Sequence, residues 1–168
     1  MPKIITARID NPKIIHNEDF AELMITVLEK GKSFRFQAKG GSMSPFIKDQ
    51  DIITVKPIQP ETIHKGDVLA FVNPNQQKLN VHRVVAIKNG KYLMKGDSAH
   101  SPDGWIKRDQ IIGKVDAIER GGKTKKISLG VEKFIVAYLS QKNVLLPTIR
   151  VLWRLFPPAL KRRIRYQR

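Results

Sequence analysis

The stretch NVHRVVAIKNGKYLMKGD, residues 80–97, decides how this chain folds. Val81, Val84, Val85 and Ile87 form one β-branched run, and Tyr92, Leu93 and Met94 form a second apolar run. Between them stands Asn89-Gly90, the pair that most readily takes the positive φ angles of a tight two-residue turn. The reading is a β-hairpin. Two polar residues, His82 and Arg83, sit inside the otherwise apolar first strand, and such placement needs a reason.

The same texture extends outward on both sides. SFRFQAKG, DIITVKPI and DVLAFVNP precede the hairpin, and QIIGKVDAIERGG and KTKKISLG follow it. Val, Ile and Phe dominate these runs, and Gly, Asn, Asp and Pro punctuate them. NPNQQ, residues 73–77, reads as a further hairpin connection. Residues 33–130 are therefore expected to form a mainly β, mostly antiparallel domain. Residues 1–32 read as an N-terminal segment and an amphipathic helix. In NEDFAELMITVLEK, residues 17–30, Phe20, Leu23, Met24, Val27 and Leu28 recur at three- and four-residue steps, with Asn17 as N-cap and Gly31 as stop. Residues 131–168 read as a basic amphipathic C-terminal tail. VEKFIVAYLSQK is a short helix, followed by Trp153, Leu155 and Phe156 interleaved with arginines and broken by Pro147, Pro157 and Pro158.

Composition narrows the classes. A chain of 168 residues suits one domain, and the absence of cysteine excludes disulfides and thiolate metal sites. The net charge of +16 calls for an anionic neighbour. After Glu132 the chain carries Lys133, Lys142, Arg150, Arg154, Lys161, Arg162, Arg163, Arg165 and Arg168 and no acidic residue. The expected use of that tail is an anionic membrane surface; docking on a protein or on the chain's own body is the alternative. Nucleic acid is not expected, because no helix-turn-helix pattern precedes the β region. The start, MPKIITARIDNPKII, does not read as a secretory signal, since Arg8, Asp10 and Lys13 interrupt it. No run approaches the ~18 apolar residues of a membrane span. The expected location is the cytoplasm, peripheral on the inner face of the membrane where the tail engages it.

Three segments carry polar groups of a particular kind. GGSMSP, residues 40–45, aims a hydroxyl from a glycine-flanked turn. VHRVV, residues 81–85, holds His82. KGDSAHSPD, residues 95–103, holds Asp97 and Asp103. Serine, histidine and aspartate are the parts of nucleophilic acyl transfer: an alcohol needs a base, and the base needs a carboxylate to fix its tautomer.

Read in order, RFQAKGGSMSP, DQDIITVKP, KGDVLAF, VHRVVAI and KGDSAHSPD resemble the signal peptidase I family. They are most similar to its endoplasmic-reticulum and archaeal branch, which pairs serine with histidine. The wider superfamily also holds LexA-type self-cleaving repressors. The resemblance covers roughly residues 33–120 and implies a signal-peptidase/LexA-like antiparallel β domain acting as a serine endopeptidase. It implies Ser42 as nucleophile and His82 as general base. Asp103 is the favoured partner of His82, with Asp97 as a second supporting carboxylate and the order of the two left open. An extended peptide is expected along an edge strand at Phe36, Gln37, Ala38, Gly40, Gly41 and Met43, cut after a small residue, with no metal or cofactor. Lys95 is a spare base. Asp67 reads as a turn residue and Arg83 as half of a structural ion pair. One departure stands at Gly40, where many members carry a hydroxyl that helps bind the oxyanion. Two other readings use the same fold: a non-catalytic module binding peptide or membrane, and a self-cleaving LexA-like regulator.

Overall fold

A computed structural model describes residues 5–6, 17–58, 62–126, 132–144, 147–149 and 151. Its elements in chain order are β1 (Ile5–Thr6), α1 (Asn17–Glu29), β2 (Phe34–Gln37), β3 (Ile52–Lys56), β4 (Val68–Asn73), β5 (Lys78–Lys88), β6 (Lys91–Lys95), β7 (Gly104–Ile106), β8 (Ile111–Arg120), β9 (Lys123–Lys126) and α2 (Glu132–Gln141). The strands join in one sheet in the order β1-β2-β3-β8-β4-β5-β6-β7, with β9 beside β8. Every pairing is antiparallel except β1 with β2, which is parallel. The mainly β fold read from residues 33–130 is the fold that forms.

The deciding hairpin is β5–β6. Asn89 and Gly90 take φ of 50° and 67°, as a two-residue turn with matching twist requires. The NPNQQ connection closes β4 onto β5 differently. Asn73 accepts from the N–H groups of Gln76 and Gln77 through its carbonyl, and its side-chain oxygen accepts from Asn75 N–H.

The core lies on both faces of β4. Val68 and Ala70 face a cluster with Met24, Leu28, Phe34, Ile53, Val55 and Val115. Leu69 and Phe71 face a second cluster with Val84, Tyr92, Met94, Ile106 and Ile111. Strand alternation sends neighbours to opposite sides, so the unbroken run Val-Leu-Ala-Phe feeds two cores at once.

Helix α1 covers the first cluster through Phe20, Ala21, Met24, Val27 and Leu28. Phe20 meets Phe34 and Phe36 edge-on at 5.5 and 5.4 Å, a geometry that the ring quadrupoles favour. Leu23, expected on this face, is exposed. It lies one hundred degrees of helical arc from Met24, on the side away from Ala21 and Leu28. The helix ends in a glycine cap: Gly31 (φ 69°) donates to Leu28 O at 2.9 Å and Lys32 to Val27 O at 3.2 Å.

Helix α2 packs on β5 and buries Ala137 and Ser140. Trp153, Leu155, Phe156, Pro157 and Pro158 of the expected amphipathic tail lie outside the described residues.

Gly113 in β8 marks a close crossing of helix and sheet. A Cβ there would stand 2.6 Å from Val55 Cγ1, 2.8 Å from Lys56 O and 2.9 Å from Leu28 Cδ1. Gly113→Ala is expected to lower stability by about 1–3 kcal/mol through overpacking. Urea unfolding of the two proteins measures it, and an unchanged midpoint would show that β8 and α1 separate freely.

Candidate active site

Each polar residue of the site is placed by a backbone constraint that its own segment supplies. β4 and β5 are in register with Leu69 opposite His82. The imidazole is largely buried, with the Phe71 ring 6.1 Å from its centroid. Ser42 lies in the turn between β2 and β3 and is exposed. That turn is held from within by Ser44 N–H to Gly41 O (3.0 Å) and Ile47 N–H to Met43 O (3.0 Å). Gly40 opens it with φ 88°, a conformation that suits a residue without Cβ, and its N–H donates to Asp49 Oδ1 at 2.8 Å. Asp103 precedes β7, where its N–H donates to Met94 O at 2.9 Å.

These constraints bring three side chains into line. His82 Nε2 is 2.9 Å from Ser42 Oγ, and His82 Nδ1 is 2.7 Å from Asp103 Oδ2. An ionised carboxylate only accepts hydrogen bonds, so the ring proton belongs on Nδ1. The Nε2 lone pair then faces the serine hydroxyl, which donates to it. The arrangement can move a proton from an alcohol to an imidazole and hold the resulting cation beside an anion. Asn80 Nδ2 lies 3.5 Å from Asp103 Oδ1, at the limit of a hydrogen bond.

The fit around Ser42 depends on Gly96. A Cβ on Gly96 would fall 2.7 Å from Ser42 O and 3.2 Å from both Ser42 Cβ and His82 Nε2. The next turn grips the same segment from outside: Ser98 N–H donates to Ser42 O (2.9 Å) and Ser98 Oγ to Gly41 O (2.8 Å). Sequence reasoning missed Gly96, Ser98, Asn80 and Asp49. Gly96 sits inside the Lys-Gly-Asp word, but the reason for a glycine there is a contact across the sheet that no local pattern encodes.

Asp97 is not beside the imidazole. Its Oδ1 accepts from Arg83 Nε and its Oδ2 from Arg83 Nη2, both at 2.8 Å, while Arg83 Nη1 donates to Gly66 O at 2.8 Å. Both side chains are buried. Arg83 follows His82 on β5 and so points to the other side of the strand, and Asp97 goes with it. The guanidinium also lies 5.3 Å from the Phe46 ring centre. One bidentate pair thus ties together β5, the turn at Gly66, the loop after β6 and the far end of the Ser42 turn. Arg83 is the structural ion-pair member expected of it, and Asp67 is a turn residue whose carboxylate accepts from His64 N–H and Lys114 Nζ, both at 2.8 Å.

Lys95 is also absent from the proton path. Its buried Nζ donates to Ser140 O (2.5 Å) and Asn143 Oδ1 (2.7 Å) at the C-terminal end of α2. A cation there suits the negative end of the helix. Burial pushes its pKa below the ordinary lysine range, against the pull of the Asp97 carboxylate.

Of the six residues expected along the peptide groove, three turn their side chains inward. Ala38 and Met43 are buried in the core, and Phe36 belongs to the aromatic cluster. Gln37, Gly40 and Gly41 are exposed. Ala38 directs its N–H to Asp51 O and its carbonyl to Gln50 N–H, both on the β3 side. Alternation then directs the backbone groups of Gln37 to the outer edge. That edge is partly taken: β1 pairs there, Ile5 with Phe34 and Thr6 with Arg35.

The model of the family described as Peptidase S24-like matches residues 3–116. The chain belongs to this family. No curated protein matches the chain. Membership supplies a peptidase-related fold within the LexA and signal peptidase superfamily and accounts for β1 to β7 and α1. The match ends within β8, before β9 and α2. Among the described residues no helix is long and apolar enough to cross a membrane.

The two aspartates separate experimentally. Asp97→Ala strands Arg83 as an unpaired buried charge and is expected to cost about 3–5 kcal/mol of stability in denaturant unfolding. Asp103→Ala removes the acceptor of His82 Nδ1 and, at hydrogen-bond limit, of Asn80 Nδ2, strands no buried charge, and is expected to cost about 1–3 kcal/mol. Equal losses would refute the division of labour between them.

Lys95 predicts a pH effect. Its folded pKa lies below its unfolded value of 10.5, so folding disfavours the charged amine. As pH rises through the folded pKa toward 10.5, this group's contribution to stability grows. The stability difference between the native chain and Lys95→Met is expected to shift in favour of the native chain over that interval. A pH-independent difference would contradict it.

Proposed function

We propose that this chain is a serine endopeptidase in which Ser42 is the nucleophile, His82 the general base and Asp103 the carboxylate that orients the imidazole. The observation that carries the reading is the pair of bonds on one ring, 2.9 Å from Nε2 to Ser42 Oγ and 2.7 Å from Nδ1 to Asp103. His82 accepts the hydroxyl proton as Ser42 attacks a peptide carbonyl, then returns it to the leaving amine. Water, activated by the same imidazole, hydrolyses the acyl-enzyme. Among the described residues nothing accepts the Ser42 N–H, which is free to bind the oxyanion. Gly40 N–H is held by Asp49, and Gly40 brings no hydroxyl. A hole short of one donor turns over about 10²-fold more slowly, so slow catalysis is expected.

The signal-peptidase resemblance supplies the finer reading: an extended peptide added to the β2 edge, with a small residue before the cut bond. Among the described residues β1 pairs that edge at Phe34 and Arg35, and past Gln37 the edge leads to the glycine pair. A leader peptide of a small ribosomal product, or one partner protein, fits a cytoplasmic enzyme of this kind. A self-cleaving reading draws on β1 itself, whose parallel course along β2 runs toward Ser42. Incubating the pure protein at mildly alkaline pH distinguishes it by a fragment pair.

Peptide cleavage with acyl trapping tests the main reading. Ser42→Ala and His82→Ala are each expected to lower turnover by about 10⁴-fold or more, and Asp103→Ala by about 10³–10⁴-fold. Gly96→Ala is expected to impair turnover as severely as loss of the base, because its Cβ displaces Ser42. Equal activity of native and Ser42→Ala protein, both folded, would leave a binding module as the function.

A further inference from the structure

We infer that the outward face of α2 is a docking surface for an anionic lipid bilayer. The inference is independent of the catalytic reading and rests on how the helix is seated and on what it leaves uncovered.

The seating fixes the rotation of α2. Ala137 and Ser140 are fully buried against the sheet, and Lys95 holds the last turn through Ser140 O and Asn143 Oδ1. From the side, Lys65 donates to Gln141 Oε1 at 3.3 Å and its amine lies 6.0 Å from the Tyr138 ring centre. A helix so held cannot roll to hide its other face. That face presents Ile135 at 58% exposure and Tyr138 at 55%, one turn apart on the surface. Val144 and Val151, 41% and 57% exposed, continue apolar exposure past the helix end. Thr148 N–H and Oγ1 both donate to Val144 O, which marks a helical turn there.

Charge identifies the occupant. From Lys133 to Arg168 the chain bears nine lysines and arginines and no aspartate or glutamate. A protein groove built for an amphipathic helix would accept Ile135 and Tyr138 without requiring a single sign of charge over the whole flanking chain. A nucleic acid would accept the cations and gain nothing from exposed isoleucine and valine. A bilayer with acidic headgroups uses both: apolar side chains and a tyrosine enter the interface, and lysines and arginines lie among the phosphates. Tyr138, with an apolar ring and a polar tip beside Lys65, suits that boundary.

The position is compatible with an open active site. Lys95, the anchor of α2, pairs across the sheet with Arg83, which points away from the His82 side of β5.

Co-sedimentation of the full chain with lipid vesicles tests the inference. Phosphatidylcholine vesicles are compared with mixed phosphatidylcholine–phosphatidylglycerol vesicles at low and high salt, beside the double variant Ile135→Ser, Tyr138→Ser. Both positions are exposed, so the variant keeps its fold, and circular dichroism checks this. The native chain is expected to sediment with the mixed vesicles alone and to release at high salt. The double variant is expected to bind them at least about tenfold more weakly. Three outcomes overturn the inference: no sedimentation, equal sedimentation with both vesicle types, or full binding by the double variant. Concentration-dependent dimers lost in the double variant, without vesicle binding, would assign the face to a second copy of the chain.

Discussion

Arg83 is the side chain on which the rest of the site depends. A guanidinium removed from water is tolerable only when its donors are met, and here Nε and Nη2 meet Asp97 while Nη1 meets Gly66 O. The partners come from two separate segments, the loop after β6 and the turn at Gly66. Each is therefore held at a fixed distance from β5, and β5 is the strand that carries His82. The ion pair contributes little as an isolated attraction, because desolvation offsets much of it. Its effect is geometric: a loop that drifted would leave a charge unpaired in a dry interior.

From that brace follows the close approach at Gly96. Asp97 cannot leave Arg83, so the residue before it is pressed against the Ser42 turn, where even a methyl group would collide with Ser42 O. Ser98, one residue beyond Asp97, closes the clamp with two bonds to Gly41 and Ser42. The hydroxyl is thus aimed at Nε2 by contacts to its backbone, which leaves the side chain itself free to react. Asp97 and Asp103 both matter to such a site, one by holding the wall and one by holding the ring.

Much of this was legible in the sequence, and the illegible part has a common cause. The β5–β6 turn, the β4–β5 turn and α1 with its glycine stop are all local, set by turn chemistry and periodicity. Ser42, His82 and Asp103 were singled out by residue type and by short words in a fixed order. The division of roles between Asp97 and Asp103 was not, because it turns on which side of β5 each loop residue faces. The inward turn of Phe36, Ala38 and Met43 was missed for a related reason. A stretch beside a nucleophile was read as a groove, whereas α1 above it demands an apolar floor. Gly40 was flagged for the hydroxyl it lacks; the capture of its N–H by Asp49 could not be read without the loop's conformation.

The edges of the sheet show where a peptide can be received. An unpaired edge invites strand addition, and folded proteins suppress it. β9 does so with lysines: Lys123, Lys125 and Lys126 stand exposed on four residues of strand. β7 does so by brevity, with three residues. Among the described residues β2 is covered by β1 at Phe34 and Arg35. From Gln37 the chain runs into Gly40, Gly41 and Ser42, residues with little or no side chain to obstruct a neighbouring backbone. Among the described residues suppression is thus weakest on the edge that ends at the serine. A chain with no use for strand addition would gain by placing a lysine at position 41, where a glycine stands instead.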